Sequence, residues 1–291
     1  MTNPLRSATR AGDEGRTPAA TRRGQVTKFT DQAYLLNDQY KDASNLSARI
    51  ELHKRFSTSP RRWQYWVFDH FQIDPSSRVL ELGCGPGGLW SENIDRVPDS
   101  WDMTLSDFSP GMLREAEQNL RRTGRAFRFE VIDAQSIPYD DAHFDTVIAN
   151  HMLFHVPDRP RALSEIRRVL KPGGRFYATT VGRAHLREID ELIHRFDPAV
   201  AFWDGHPADR FTLESGLDEL KAFYSDVVLH RHADALIVTE AQPLIDYILT
   251  GVRFADAVEK RRAEFARFVE QELVVRGSLT ITKDSGMFEA W

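Results

Sequence analysis

The sequence predicts an α/β protein built on a doubly wound parallel sheet, with a helical N-terminal cap and an antiparallel C-terminal hairpin. Three observations predict it. The apolar run Val79–Leu82 spills into Gly83-Cys84-Gly85-Pro86-Gly87-Gly88, which reads as a buried strand meeting a tight turn that opens onto a helix. Short β-rich runs then alternate with segments of helical apolar spacing, the pattern of a parallel sheet covered on both faces. Near the end, Asp226–His230 and Ala235–Thr239 are two β-rich runs a few residues apart, as in an antiparallel hairpin.

Residues 1–25 are rich in Arg, Thr, Ala and Gly, cannot bury a core, and read as a disordered tail. Residues 26–74 form the helical cap. Leu46, Ile50 and His53 fall on one helical face and, after a break at Ser59-Pro60, Trp63, Trp66, Val67 and His70 fall on another. The core spans 75–240. Its strands are expected at Arg78–Leu82, Trp101–Ser106, Phe127–Ile132, Phe144–Ala149 and Arg175–Thr180. Met112, Ala116 and Leu120 mark a helix over Met112–Arg122, and Ala162, Ile166 and Val169 mark another over Arg161–Leu170, stopped by Lys171-Pro172-Gly173-Gly174. Residues 182–218 are an insertion containing Phe202-Trp203-Asp204-Gly205-His206-Pro207. Residues 241–291 read as a C-terminal helical extension, with Phe254, Val258, Phe265 and Val269 facing inward.

Composition narrows the function. The chain has 291 residues, 41% of them hydrophobic, and no run approaching the ~20 apolar residues of a membrane helix. It opens without the apolar segment of a secretory signal, so a cytoplasmic location is expected. One cysteine, Cys84, excludes an internal disulfide and a cysteine-based metal site, and no metal is expected. The net charge of −5, with arginines and lysines dispersed among acids, gives no support to a nucleic-acid partner.

Ligands of parallel sheets bind at the carboxyl ends of strands, where the strand order reverses. Each such end here carries a polar residue: Glu81, Asp107, Asp133-Ala134 and Asn150. Asp107 lies about 20 residues beyond the glycine loop, where an acid accepts hydrogen bonds from ribose hydroxyls. By themselves the glycines fit two loops. Gly83, Gly85 and Gly87 match a methyl donor-binding GxGxG, whereas Gly83, Gly85 and Gly88 match a dinucleotide GxGxxG.

The ordered series Glu81-x-Gly83-x-Gly85-x-Gly87, Asp107-Phe108-Ser109-Pro110-x-Met112-Leu113, Asp133-Ala134…Ile137-Pro138, Phe144-Asp145-x-Val147, His155-Val156-x-Asp158 and Leu170-Lys171-Pro172-Gly173-Gly174 resembles a class I S-adenosylmethionine-dependent methyltransferase. Its nearest likeness is to the small-molecule branch that includes the ubiquinone and menaquinone methyltransferases. The resemblance covers about residues 75–182 and implies a Rossmann-like seven-stranded sheet whose sixth and seventh strands are the hairpin. It also implies S-adenosylmethionine as cofactor. Gly83, Gly85 and Gly87 would then line the loop beneath the methionine part. Asp107 would hold the ribose, Phe108 or Met112 would flank the adenine, and Asp133 with Ala134 would meet its amino edge. Asn150 would offer its main-chain carbonyl to the ammonium.

His151, just past the fourth strand, is the candidate catalytic base, needed only if the acceptor must lose a proton; the alternative is that it merely lines the pocket. Asn150-His151-Met152-Leu153 lacks the Asn/Asp-Pro-Pro-aromatic motif of nucleic-acid or amide methylation. The aromatic cap and insertion suit a lipophilic or aromatic metabolite, such as a secondary metabolite. The apolar N-terminal helices offer a surface for a homo-oligomer. Two other functions remain open on the residues: an NAD(P)-dependent oxidoreductase, and a non-catalytic donor-binding module.

Overall fold

The computed structural model describes residues 28, 30–39, 41, 44–200, 210–251 and 258–291. The tail expected over 1–25, the aromatic run Phe202–Pro207 and Phe254 lie outside the described residues. Short helical turns come first, at α1 (Gln32–Tyr34) and at Leu35–Gln39. They are followed by α2 (Ser44–Phe56) and α3 (Trp63–Asp69). The alternating core is β1 (Arg78–Leu82), α4 (Gly88–Asn93), β2 (Asp102–Asp107), α5 (Pro110–Arg121), β3 (Arg128–Val131), β4 (Phe144–Asn150), α6 (Arg159–Val169) and β5 (Leu170–Val181). After it come α7 (Arg187–Phe196), α8 (Gly216–Lys221), β6 (Val227–Val238), α9 (Ala241–Leu249), α10 (Arg262–Arg276) and β7 (Leu279–Ala290). Among the described residues no helix is long and apolar enough to cross a membrane.

Seven strands form one sheet in the order β3-β2-β1-β4-β5-β7-β6. The first five are parallel, β7 is antiparallel to β5, and β6 is antiparallel to β7. Both faces are buried. On β1, Leu80 and Leu82 join one apolar cluster while Val79 joins the other; on β5, Phe176 and Ala178 oppose Tyr177 in the same way. Alternation with both sides apolar is what a sheet sandwiched between helices requires. Helix α5 shows how locally the helices are specified. The Ser109 hydroxyl accepts from the Gly111 and Met112 amides, Pro110 occupies the first turn, and Met112, Leu113, Ala116 and Leu120 are buried.

One expectation requires correction. Asp226–His230 and Ala235–Thr239 are not two strands of a hairpin but parts of a single strand, β6. Its middle stays in register with β7 through Arg231↔Gly286, His232↔Ser285, Ala233↔Asp284 and Asp234↔Lys283. The polar residues that look like a turn are held extended by their partners: Asp234 pairs with Lys283 at 2.5 Å, and a Cβ at Gly286 would lie 2.5 Å from the His230 carbonyl oxygen. The C-terminal region is likewise not helical to its end. After α10, residues 279–290 return as the strand between β5 and β6.

The cap packs on its own chain. Leu52 and Phe56 of α2 join Ile189, Leu244, Ile248, Phe265 and Ile281 in a third cluster, while Ile50 and His53 face a cavity.

Candidate active site

The strand order reverses between β1 and β4, and a cavity of about 720 Å³ lies over that point, within the usual range for a small-ligand site. The glycine loop forms one wall. Gly83, Gly85 and Gly87 have φ of 70°, 53° and 77°, the left-handed region that glycine enters freely. A Cβ on Gly83 would lie 2.8 Å from the Met152 Cβ, so the two strand-end turns meet only because Gly83 lacks one. Gly83 and Gly85 line the cavity. Gly87 turns away from it against α5, where a Cβ would lie 2.9 Å from the Leu120 Cδ1.

Asp107 ties this loop to the end of β2. Its Oδ2 accepts from the Gly85 amide at 2.9 Å and its Oδ1 from the Ser109 amide at 2.8 Å. Burial pushes the Asp107 carboxyl up, and these amides pull it back. Phe108, Met112, Asp133 and Ala134 line the same end. Asp133 accepts from the Gln135 amide at 2.9 Å and from Gln32 Nε2 at 3.3 Å, so the N-terminal turn reaches the outer edge of the site. The thiol of Cys84 is buried and pushed well up by that burial, so it stays protonated.

At the centre, Glu81 is buried at 1% exposure and accepts from Trp90 Nε1 at 2.5 Å and Asn150 Nδ2 at 2.9 Å. Burial raises its carboxyl to about 7 against the pull of those two donors. The Oδ1 of Asn150 is buried with no hydrogen-bond partner. A buried carboxylate beside an unpartnered amide oxygen is a seat for a cation with N–H donors.

His151 follows at φ 48°, a left-handed conformation that a non-glycine residue adopts at a cost of ~1–3 kcal/mol. Its amide donates to the Thr179 Oγ1 at 3.0 Å, and its ring lies 5.1 Å from that of Trp63. Burial, with a smaller contribution from Lys283, lowers its imidazole to about 4 and keeps it neutral.

The far end assembles residues that the sequence reading did not single out for the site. His185 follows β5, and burial holds its imidazole well below the usual range. The His53 ring, 6.3 Å from that of His185, is lowered to about 3 and has a buried Nδ1 without a partner. Lys283, Ser285 and Tyr247 complete this wall. His185 lies four residues past β5, in the stretch read as an insertion, and carried no strand-end signal like that of His151. Lys283 carried none, because its segment reads as helix.

Residues 80–178 match the methyltransferase domain family. The ubiquinone/menaquinone biosynthesis C-methyltransferase UbiE of Bordetella avium is 32% identical over 123 residues, 42% of this chain and 48% of that protein. UbiE of Vibrio campbellii is 33% identical over 117 residues, 40% and 45% of the two chains. The chain thus spans about half the length of the curated relatives it matches. Among solved structures, YcgJ of Bacillus subtilis superposes with a TM-score of 0.51 at 16% identity, over 78% of this chain and 96% of that one. A Haemonchus contortus phosphoethanolamine N-methyltransferase, in complex with S-adenosyl-L-methionine, gives 0.54 at 19%, over 90% and 59%. These likenesses show the fold. Residues 80–178 carry the match to a methyltransferase domain, and over about that stretch the chain resembles UbiE.

Proposed function

We propose that this domain transfers a methyl group from S-adenosylmethionine to a small-molecule acceptor. The observation that carries the reading is the shared cavity. Gly83, Gly85, Asp107, Phe108, Met112, Asp133 and Ala134 line one end, His53, His185 and Lys283 the other, and Asn150 and His151 lie between them. The residues fit the donor: the unpartnered Asn150 Oδ1 beside Glu81 suits its ammonium, and the Asp107 carboxylate suits ribose hydroxyls. When bound, S-adenosylmethionine supplies an activated methyl on a sulfonium.

The chain then needs mainly to position the acceptor nucleophile and exclude water, and alignment supplies most of the acceleration. His151, neutral and held at the centre, accepts a proton where the acceptor has one to lose. Trp63, Phe154, Phe211 and Tyr247 support an aromatic acceptor, and the histidines among them make the site more polar than a purely lipophilic ligand requires. The likeness to a C-methyltransferase supports carbon as one acceptor atom.

Calorimetric titration with S-adenosylmethionine, S-adenosylhomocysteine and NADPH tests the reading. Micromolar binding of the first two, and release of S-adenosylhomocysteine during turnover of a screened acceptor, is the expected result. Binding of NADPH alone overturns it, and donor binding without turnover on any acceptor leaves a binding module.

A further inference from the structure

The charges of the cavity are sorted across the sheet. At the ends of β1, β2 and β3 and on α4 its lining carboxylates are Glu81, Glu92, Asp107 and Asp133, and those segments carry no lysine or arginine among the described lining residues. On the other side lie Arg49, Lys54, Arg183, Arg210 and Lys283, with Asp190 the one carboxylate among the described lining residues there, while Arg62 opens α3, which packs on α4. The sign changes at the strand-order reversal between β1 and β4.

Resting on the methyl-transfer reading, we infer that the acceptor is a small anion bearing a carboxylate or a phosphate, held on the β5–β7 side by Lys283 and the neighbouring arginines.

Lys283 is the inner anchor. Lys283 lines the cavity, whereas its partner Asp234 does not. The Asp234 Oδ2 accepts from both Lys283 Nζ at 2.5 Å and the Ser57 hydroxyl at 2.7 Å, and its Oδ1 accepts from the Thr58 and Ser59 amides at 3.0 Å, so its charge is shared among several donors. Among the described lining residues at this end, cations outnumber carboxylates. Burial chiefly lowers the imidazoles of His53, His151 and His185, and the Lys283 charge lowers them further. Arg183, exposed at the mouth, has no ion pair among the described residues. A cleft walled by one sign of charge concentrates ligands of the other sign, and guanidinium and ammonium groups meet carboxylate and phosphate through strong charge-assisted hydrogen bonds. The neutral histidines and Ser285 add hydrogen-bonding groups without cancelling that charge. The donor, whose sulfonium and ammonium are cationic, meets the acidic side instead.

The test uses the full chain saturated with S-adenosylhomocysteine and four probes of one ring size: 4-hydroxybenzoate, phenyl phosphate, 4-hydroxybenzyl alcohol and tyramine. Calorimetry should show at least one anion binding about tenfold or more tighter than the alcohol, with tyramine weakest. The gap should narrow as sodium chloride is raised, and the order of the two anions tells carboxylate from phosphate. Lys283→Met should abolish the preference. Because that change strands Asp234, Arg183→Gln provides a second variant, expected to weaken the anion about threefold while leaving S-adenosylhomocysteine binding unchanged. Equal affinity along the charge series, or no probe binding with S-adenosylhomocysteine in place, overturns this inference alone. Failure of S-adenosylhomocysteine to bind overturns the methyl-transfer reading, and this inference with it.

Discussion

Replacing Asp107 with alanine tests the donor end of the site through two separate consequences. The carboxylate accepts the Gly85 and Ser109 amides at 2.9 and 2.8 Å, joining the glycine loop to the start of α5. Asp107→Ala leaves both amides without that acceptor. Each buried orphan costs ~1–3 kcal/mol, and because the cavity admits water the low end applies, giving about 2 kcal/mol. For a chain of this size that lowers the melting temperature by roughly 3 °C. The second consequence concerns the donor. If the same carboxylate also accepts from the ribose hydroxyls, its loss weakens S-adenosylhomocysteine by about 2–3 kcal/mol, roughly 30- to 150-fold. Calorimetric titration and thermal melts of the same preparation read the two effects independently. A destabilised protein with unchanged affinity refutes the ribose assignment and leaves Asp107 a purely structural clamp. An unchanged melting temperature refutes the clamp.

Three further outcomes are expected. Burial raises the Glu81 carboxyl from 4.5 to about 7, so as pH rises the unfolded chain loses this proton before the native one does. Stability therefore falls between about pH 4.5 and 7, by on the order of 3 kcal/mol; urea melts of Glu81→Gln should show a flatter pH dependence than wild type, and parallel profiles refute the assignment. His151→Asn, a residue tolerant of φ 48°, should slow turnover about 10²-fold with donor affinity unchanged, while wild-type turnover stays flat from about pH 6 to 9 in this group's titration; full activity makes His151 a pocket wall. Gly83→Ala should cost about 2–4 kcal/mol by left-handed strain and overlap with Met152, against ~1 kcal/mol for Gly124→Ala, whose φ is similarly positive at 73° but whose Cβ would meet nothing within 4 Å. Equal urea midpoints for the two variants refute the close approach.

Most of the glycine-loop end of the cavity was legible in the sequence because its residues sit at strand ends spaced along one continuous stretch. Gly83, Asp107, Asp133 and Asn150 each follow a strand with its own apolar signature, and a parallel sheet brings all such ends to one edge. The opposite end was not legible. It draws His53 from α2, His185 from the segment after β5 and Lys283 from β7. Those residues are up to 230 positions apart, His53 against Lys283, and no local pattern links them.

The sequence by itself determined the alternating α/β core, its capped helices and the glycine turn, since each depends on neighbours within a few residues: apolar periodicity, the Ser109 cap, the absence of a Cβ at φ above zero. Only the tertiary structure decided that Arg231–Asp234 is strand and that Leu279–Ala290 inserts between β5 and β6. A polar residue is stable inside a sheet when a distant partner satisfies it, and the pairing of Asp234 with Lys283 exists only once the chain has closed. The same closure brings His53, His185 and Lys283, scattered along the chain, into the lining of one cavity.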